Sequence, residues 1–171
     1  MPLYLIELKP AEATKESVGA LIEKVVSAVG SSDGELIETQ VTSDHRIVFV
    51  VVEADSPRFA SPVVKAVEGV AEIAGPDEVR LVGAELDDIK KLKAHADYLV
   101  EWDIPAEVTM DQYLARKKAN SPKYAEVPEV SFLRTYVRED TAKCLCFYDA
   151  PDEDAVTRAR AAVQTPIDRL F

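Results

Sequence analysis

Along "IETQVTSDHRIVFVVVEAD", Ile37 to Asp55, six apolar residues run together as "IVFVVV" with no polar residue among them. A strand with one wet face alternates apolar and polar side chains, so this one reads as buried on both faces. Ile47, Phe49 and Val51 point one way and Val48, Val50 and Val52 the other. Upstream, Val18, Leu21, Ile22, Val25, Val26 and Val29 recur three and four apart, which predicts a helix with one apolar face, stopped by Gly30. A short strand, Leu3 to Leu8, precedes it. "GELIETQVT" and "RIVFVVVEA", joined through "SDH", predict a hairpin. Ser61 before Pro62 predicts the start of a second helix, Gly75 its end, and "DEVRLVGA" a last strand.

The pattern then repeats. "YLIELKPAEAT" from Tyr4 returns, with one insertion, as "YLVEWDIPAEVT" from Tyr98. Ile37 to Asp55 aligns without a gap to "LRTYVREDTAKCLCFYDAP", Leu133 to Pro151, so that Ile37 faces Leu133, Thr39 faces Thr135 and Asp44 faces Asp140. A self-repeat of this length reads as an old duplication. The second copy has its own strand (Tyr98 to Trp102), a helix opened by the capping-box pair Thr109 and Gln112, a hairpin through "EDT", a helix after "APDED", and the end "PIDRLF". Each copy orders strand, helix, strand, strand, helix, strand, the ferredoxin-like unit. "ELDDIKKLKAHAD" predicts a connecting helix, which places the boundary near His95 and the repeats at 1–95 and 96–171. The fold class is therefore α+β, with tandem ferredoxin-like repeats. Sheets packed face to face, as an intrachain dimeric α+β barrel, would bury both faces of "IVFVVV".

The second half, from "YLVEWDIP" through "RTYVREDTAKCLCFYDAPDEDAV" to "TPIDRL", resembles a family of small bacterial ferredoxin-like proteins, most without a known function, that includes a nickel-binding protein. The first half resembles the same pattern weakly, with Val50 in place of the cysteine and Asp55 in place of the proline. The resemblance implies a first-strand glutamate, matched by Glu101 and Glu7, and a third-strand cysteine, matched by Cys146. It also implies nickel or another divalent transition metal held partly by histidines, one of them in the second helix, where this chain has Ala159.

Composition narrows the function. With 171 residues and 47% apolar content the chain suits a folded core, and the net charge of -11 argues against nucleic acid and anionic membranes as partners. No apolar segment is long enough to span a bilayer and no secretory start is present, so the expected compartment is the cytoplasm with reduced thiols. Cys144 and Cys146 share a strand face and could offer two sulfurs to a soft metal, or serve as small core residues. His45 in a hairpin turn and His95 in the connecting helix read as surface residues. The basic cluster around Arg116 to Lys118 reads as a solvated helix face. No nucleophile elbow, phosphate loop or dinucleotide fingerprint occurs.

The remaining candidate is a site between the sheets. Thr39 and Val41, like Leu133, Thr135 and Val137, share one side of their strands, while Glu38 and Gln40, like Arg134 and Tyr136, share the other. Glu38, Arg134 and Tyr136, joined by Glu7, Glu101 and Trp102, form the expected ligand-binding set. Burial that raises a carboxylate pKa would let Glu101 carry a proton while Arg134 holds an anionic substrate. A Glu–Arg pair that only specifies docking is the competing reading. The chain is thus expected to be a non-catalytic binder of a small ligand or of metal, with no certain cofactor. The alternatives are a cofactor-free isomerase, cyclase or oxygenase and a purely structural module. Homo-oligomerisation stays open.

Overall fold

Leu3–Lys9, with Tyr4, Ile6 and Leu8 on one face, forms strand β1, and Thr14 then turns the chain into helix α1 (Lys15–Gly30) by accepting the Ser17 N–H on its side-chain oxygen. Strands β2 (Glu35–Val41) and β3 (Val48–Glu53) form the predicted hairpin, helix α2 (Ala60–Ala66) follows a 3-10 turn, and strand β4 (Glu72–Val82) comes next. Helix α3 (Leu86–Lys91) leads to β5 (Tyr98–Asp103), α4 (Met110–Asn120), β6 (Ser131–Arg138), β7 (Lys143–Asp149), α5 (Glu153–Ala162) and β8 (Arg169–Leu170). This computed structural model describes residues 1–67, 69–91 and 96–171. They divide into two compact units, 1–79 with 89–91 and 80–88 with 96–171, so the end of β4 and the start of α3 group with the second unit.

In the first unit the strand order is β2-β3-β1-β4 and the neighbours run antiparallel. In the second it is β6-β7-β5-β8, again antiparallel. Both orders are those of a split βαβ unit, in which each helical connection carries the chain past one intervening strand. The duplication shows in shared irregularities. A bulge interrupts β2 between Leu36 and Glu38 and β6 between Phe132 and Arg134, so the extra residues are Ile37 and Leu133, which the sequence alignment pairs. His45 and Thr141, also a pair, both have φ of 59°. Asp44 and Asp140 accept the N–H groups of Arg46 and Ala142 at 3.1 and 3.0 Å. Ser56 and Asp152, one position past the aligned stretch, both cap the next helical turn.

Val48 to Val52 are buried on both sides, as the pattern predicts, while Ile47 precedes the strand and is half-buried. Val48, Val50 and Val52 pack with Tyr4, Ile6 and Leu8 against Val18, Leu21, Val25 and Val29 of α1 and Val63 of α2. Phe49 and Val51, of opposite parity, are each 2% exposed. Leu145 and Phe147 of the second unit repeat that burial.

Several local expectations are corrected. Val26 is 47% exposed, because the apolar face of α1 runs through Ala28 and Val29 instead. The second helical segment starts at Ser56 and Pro57, not at Ser61 and Pro62. Ser56 accepts the Arg58 N–H at 3.3 Å, and Ser61 lies inside α2. Gly75 does not end that helix but lies within β4, where its φ of 94° and its approach to the Leu5 carbonyl leave no room for a side chain. Leu133 does not share the face of Thr135, since the bulge breaks the alternation there. His95 lies outside the described residues.

Candidate functional site

Strand β7 alternates strictly, so Cys144, Cys146 and Tyr148 all face the helices of the second unit, beside Val137 of β6 and Val100 and Trp102 of β5. Over this face lie α4, anchored by the Thr109–Gln112 capping box, and α5, whose N-cap is Asp152. Tyr113 comes from α4, and the 3-10 stretch Ser121–Glu126 brings Tyr124. The buried stripe of α5 is Ala155, Val156, Ala159 and Arg160. An arginine therefore occupies an apolar helix position at 2% exposure.

The polar groups of this interior form one network. Arg160 Nη1 donates to Cys146 Sγ at 3.4 Å and to the Tyr148 hydroxyl at 3.0 Å, and its Nη2 donates to the Pro166 carbonyl at 2.6 Å. The hydroxyls of Tyr124 and Tyr148 lie 2.6 Å apart, and the Thr135 hydroxyl donates to Cys146 Sγ at 3.2 Å. Arg160 Nε is buried and finds no acceptor on the described protein. No carboxylate balances this guanidinium among the bonds it makes.

Electrostatics separates the two cysteines. A hydrogen bond from Cys144 lowers the Cys146 pKa well below the ordinary thiol value against the opposing effect of burial, helped by the Lys117 and Arg160 charges and the Thr135 hydroxyl. The same Cys144 to Cys146 bond, together with burial, raises Cys144. Burial pushes the Tyr124 phenol up to about 12 and lifts Tyr113 and Tyr148 as well, so all three stay protonated donors.

A pocket opens beside the network, lined among others by Trp102, Lys117, Tyr124, Cys144, Cys146 and Arg160. Its enclosed part has room for one or two water-sized molecules, and the rest opens to solvent. Arg116 also lines it, with its guanidinium 5.5 Å from the Trp102 ring centroid, while Lys117 Nζ lies 4.3 Å from that of Phe132. Arg116 and Lys117 of the "ARKKANSPK" run therefore take part in the pocket wall, where the sequence suggested only a solvated face.

Of the residues expected to bind ligand, Arg134, Tyr136 and Glu101 share one face of the second unit's sheet, Trp102 lies on the other, and Glu7 and Glu38 belong to the first unit. Glu7 lies on β1 opposite Phe49 and Glu38 on β2 opposite Val51, both in the first unit. In the second unit Arg134 and Tyr136 share the sheet face away from the helices, where Arg134 lies 4.8 Å over the Phe147 ring and Tyr136 meets that ring edge-on. Glu101 is paired with Leu145 in the sheet, and its carboxylate is held by Arg169 and by Lys143 Nζ at 3.5 Å. Trp102 does not join Glu101, because successive strand residues point oppositely. It packs on the helix side, its ring centroid 6.1 Å from that of Tyr113. Sequence reasoning passed over Arg160, Thr135, Tyr113, Tyr124 and Tyr148. The available signal was the spacing of Ala155, Val156, Ala159, Arg160 and Val163, which puts one charged residue in an apolar stripe.

A nickel centre does not fit these residues. Among the described residues no three His, Cys, Asp or Glu side chains converge. The Cys146 sulfur already faces a guanidinium, a cation that opposes a second one, and Glu101 is on the other sheet face. The helix position where the resemblance implied a histidine holds Ala159, fully buried in α5.

The model of the family described as nickel responsive protein SCO4226-like matches residues 98–171, the stretch in which the sequence carries the resemblance. No curated protein matches the chain. Among solved structures, a protein assigned as a chlorite dismutase, TA0507, is similar at a TM-score of 0.57 and 12% identity, over 96% of this chain and 86% of that one. One assigned as a monooxygenase, from Lactobacillus acidophilus NCFM, is similar at a TM-score of 0.53 and 9% identity, over 99% and 90%. These likenesses span both units and agree with the α+β, tandem ferredoxin-like fold, of which the dimeric α+β barrel proteins are examples. Among the described residues no helix is long and apolar enough to cross a membrane.

Proposed function

We propose that the chain is a small-ligand binding protein whose second unit takes a small anion, such as a carboxylate or an inorganic oxyanion, into the pocket beside α4 and α5. The observation that carries this reading is Arg160, a guanidinium at 2% exposure with Nε unmatched on the described protein and without a carboxylate partner. A buried cation of that kind costs several kcal/mol unless an anion offsets it. Arg116 and Lys117 add positive charge at the same wall in a chain whose net charge is -11, so the local sign runs against the global one. The tyrosine hydroxyls supply neutral donors that orient an oxyanion. The nickel expectation attached to the family is set aside on the donor set described above, and small-ligand binding is kept.

The test is isothermal titration of the reduced protein with sodium acetate and with inorganic phosphate. Saturable binding of at least one anion is expected, weakened at least tenfold in Arg160→Met and in Lys117→Met, with folding checked by Trp102 fluorescence. Absence of saturable binding, or an affinity unchanged in Arg160→Met, would refute the anion site.

A further inference from the structure

The cysteines call for a chemical account that anion binding does not supply. Besides the bond from Cys144, Cys146 Sγ receives hydrogen bonds from the Thr135 hydroxyl at 3.2 Å and from Arg160 Nη1 at 3.4 Å. A neutral thiol is a weak acceptor that gains little from such donors, whereas a thiolate is stabilised by them. Cys146 lines a pocket whose enclosed part admits one or two water-sized molecules, so only a very small reagent reaches the sulfur.

We infer that Cys146 is a reactive thiolate that reduces hydrogen peroxide or a comparably small hydroperoxide in this pocket. The sulfur attacks the nearer peroxide oxygen and gives it two electrons. The O–O bond breaks, Cys146 becomes a sulfenic acid, and the departing hydroxide takes a proton from solvent to leave as water. Arg160 acts as a positioning residue that holds the sulfur ionised and aimed. The groups facing Cys146 are Cys144 on its own strand, Thr135 on β6, Tyr113 and Lys117 on α4, and Arg160 on α5, with Tyr124 and Tyr148 linked to it through Arg160. With Cys146 ionised, Arg116, Lys117 and Arg160 still leave the wall net positive, so anion binding and thiolate chemistry coexist.

This inference shares the pocket of the proposed anion site but rests on the sulfur contacts alone, and its test is separate. Reduced full-length protein is treated with hydrogen peroxide, the excess is removed with catalase, and the protein is then unfolded in urea containing dimedone so that the labelled residue is mapped by mass spectrometry. The pH–rate profile of Cys146 oxidation by hydrogen peroxide is recorded on the same samples. Expected are a dimedone adduct on Cys146, retained in Cys144→Ser and absent in Cys146→Ser, and an oxidation inflection below that of an ordinary thiol, ~8.5. Arg160→Met should move the inflection upward and slow the reaction at pH 6 at least tenfold, and Arg160→Lys should recover part of it. An adduct on Cys144 instead, no adduct on Cys146 after oxidation of the folded chain, or a wild-type profile like that of a free thiol would each overturn the inference, whatever the variants do. Anion titration of the wild-type protein separates the two ideas: saturable anion binding without peroxide chemistry at Cys146 overturns this inference alone, and peroxide chemistry without anion binding overturns only the anion site.

Discussion

Replacing Arg169 by Met should destabilise the second unit by about 2–4 kcal/mol, mostly through what it leaves behind at Glu101. The Glu101 side chain is 4% exposed and faces two cations, Arg169 and Lys143, the latter at 3.5 Å. Arg169 also spans to Asp103 through Nη1 at 3.0 Å and Nη2 at 2.5 Å, but that carboxylate is 55% exposed and its pair contributes only about 0–1 kcal/mol. The bond to buried Glu101 contributes more, about 1.5–3 kcal/mol for a hydrogen bond to a charged group. Stripping a buried charge of its partner costs about 3–5 kcal/mol, and Lys143 retains part of the compensation, which gives the range stated. Glu101→Gln alone should cost less, since it strands no buried carboxylate. The double variant should cost about 1–2 kcal/mol less than the sum of the two singles, because neither partner is then left charged against nothing. Urea unfolding followed by Trp102 fluorescence measures this in the right unit, as Trp102 is the chain's one tryptophan and is 4% exposed in the second core. Hydrogen exchange gives a second readout: the Leu99 and Phe171 N–H groups, which bond each other's carbonyls at 2.9 and 2.8 Å, should exchange faster once β8 loses its anchor. A loss below about 0.5 kcal/mol in Arg169→Met, or additivity of the two variants, would refute the reasoning.

Thr141→Gly should raise the urea midpoint of the second unit by the equivalent of about 0.5–1 kcal/mol, because a β-branched residue at φ of 59° is strained by about 1–2 kcal/mol and glycine is not. An unchanged or lower midpoint would count against it. Gly75→Ala should destabilise the first unit by about 2 kcal/mol or more, since its φ of 94° disfavours a side chain and the added Cβ meets the Leu5 carbonyl oxygen; an unaltered thermal melt by circular dichroism would contradict this. Asp44 is held below its ordinary pKa first by the Thr42 hydroxyl, and Asp140 first by Arg138. Each therefore adds stability that is fully present above the unfolded carboxylate pKa, about 3.9, and is lost as pH falls through the lower folded value. Asp44→Asn and Asp140→Asn should flatten acid unfolding curves in that window, and curves parallel to wild type would reject the assignment.

The fold was legible where the pattern is set by elementary periodicity. The gapless pairing of Ile37 to Asp55 with Leu133 to Pro151 is matched by two bulges and two left-handed turn residues at the paired positions. The bulges themselves were not legible, because a single extra residue leaves the composition of a strand unchanged, and Leu133 was placed on the wrong face in consequence. Ser61–Pro62 was a false start signal because Ser56–Pro57 offers the same two residue types five positions earlier. The candidate site was read only in part. Cys146 stood out through a resemblance, yet its partners come from four different elements, and tertiary convergence of Thr135, Tyr113, Tyr148 and Arg160 has no local sequence mark. Arg160 alone carried one, a charge in an apolar helical stripe, hidden because "RAR" reads at first as a solvated turn.

The first repeat serves as an internal control for what the second repeat needs to fold. At the positions of Cys144, Cys146 and Tyr148 it carries Val48, Val50 and Val52, all buried against its own helices. The same pairing of β3 with β1 recurs as β7 with β5, residue for residue, so the backbone does not require sulfur or hydroxyl there. Aliphatic packing is the cheaper solution, since a buried guanidinium and its donors pay a desolvation cost that valine avoids. Thr39 and Thr135 are common to both repeats, which makes the threonine part of the shared scaffold. The second repeat shares that scaffold and carries in addition a thiol pair, three tyrosines and a buried arginine around one opening. A polar interior that costs stability, sits in only one of two matched units and leaves an arginine N–H unmatched is better explained by what enters the pocket than by the fold around it.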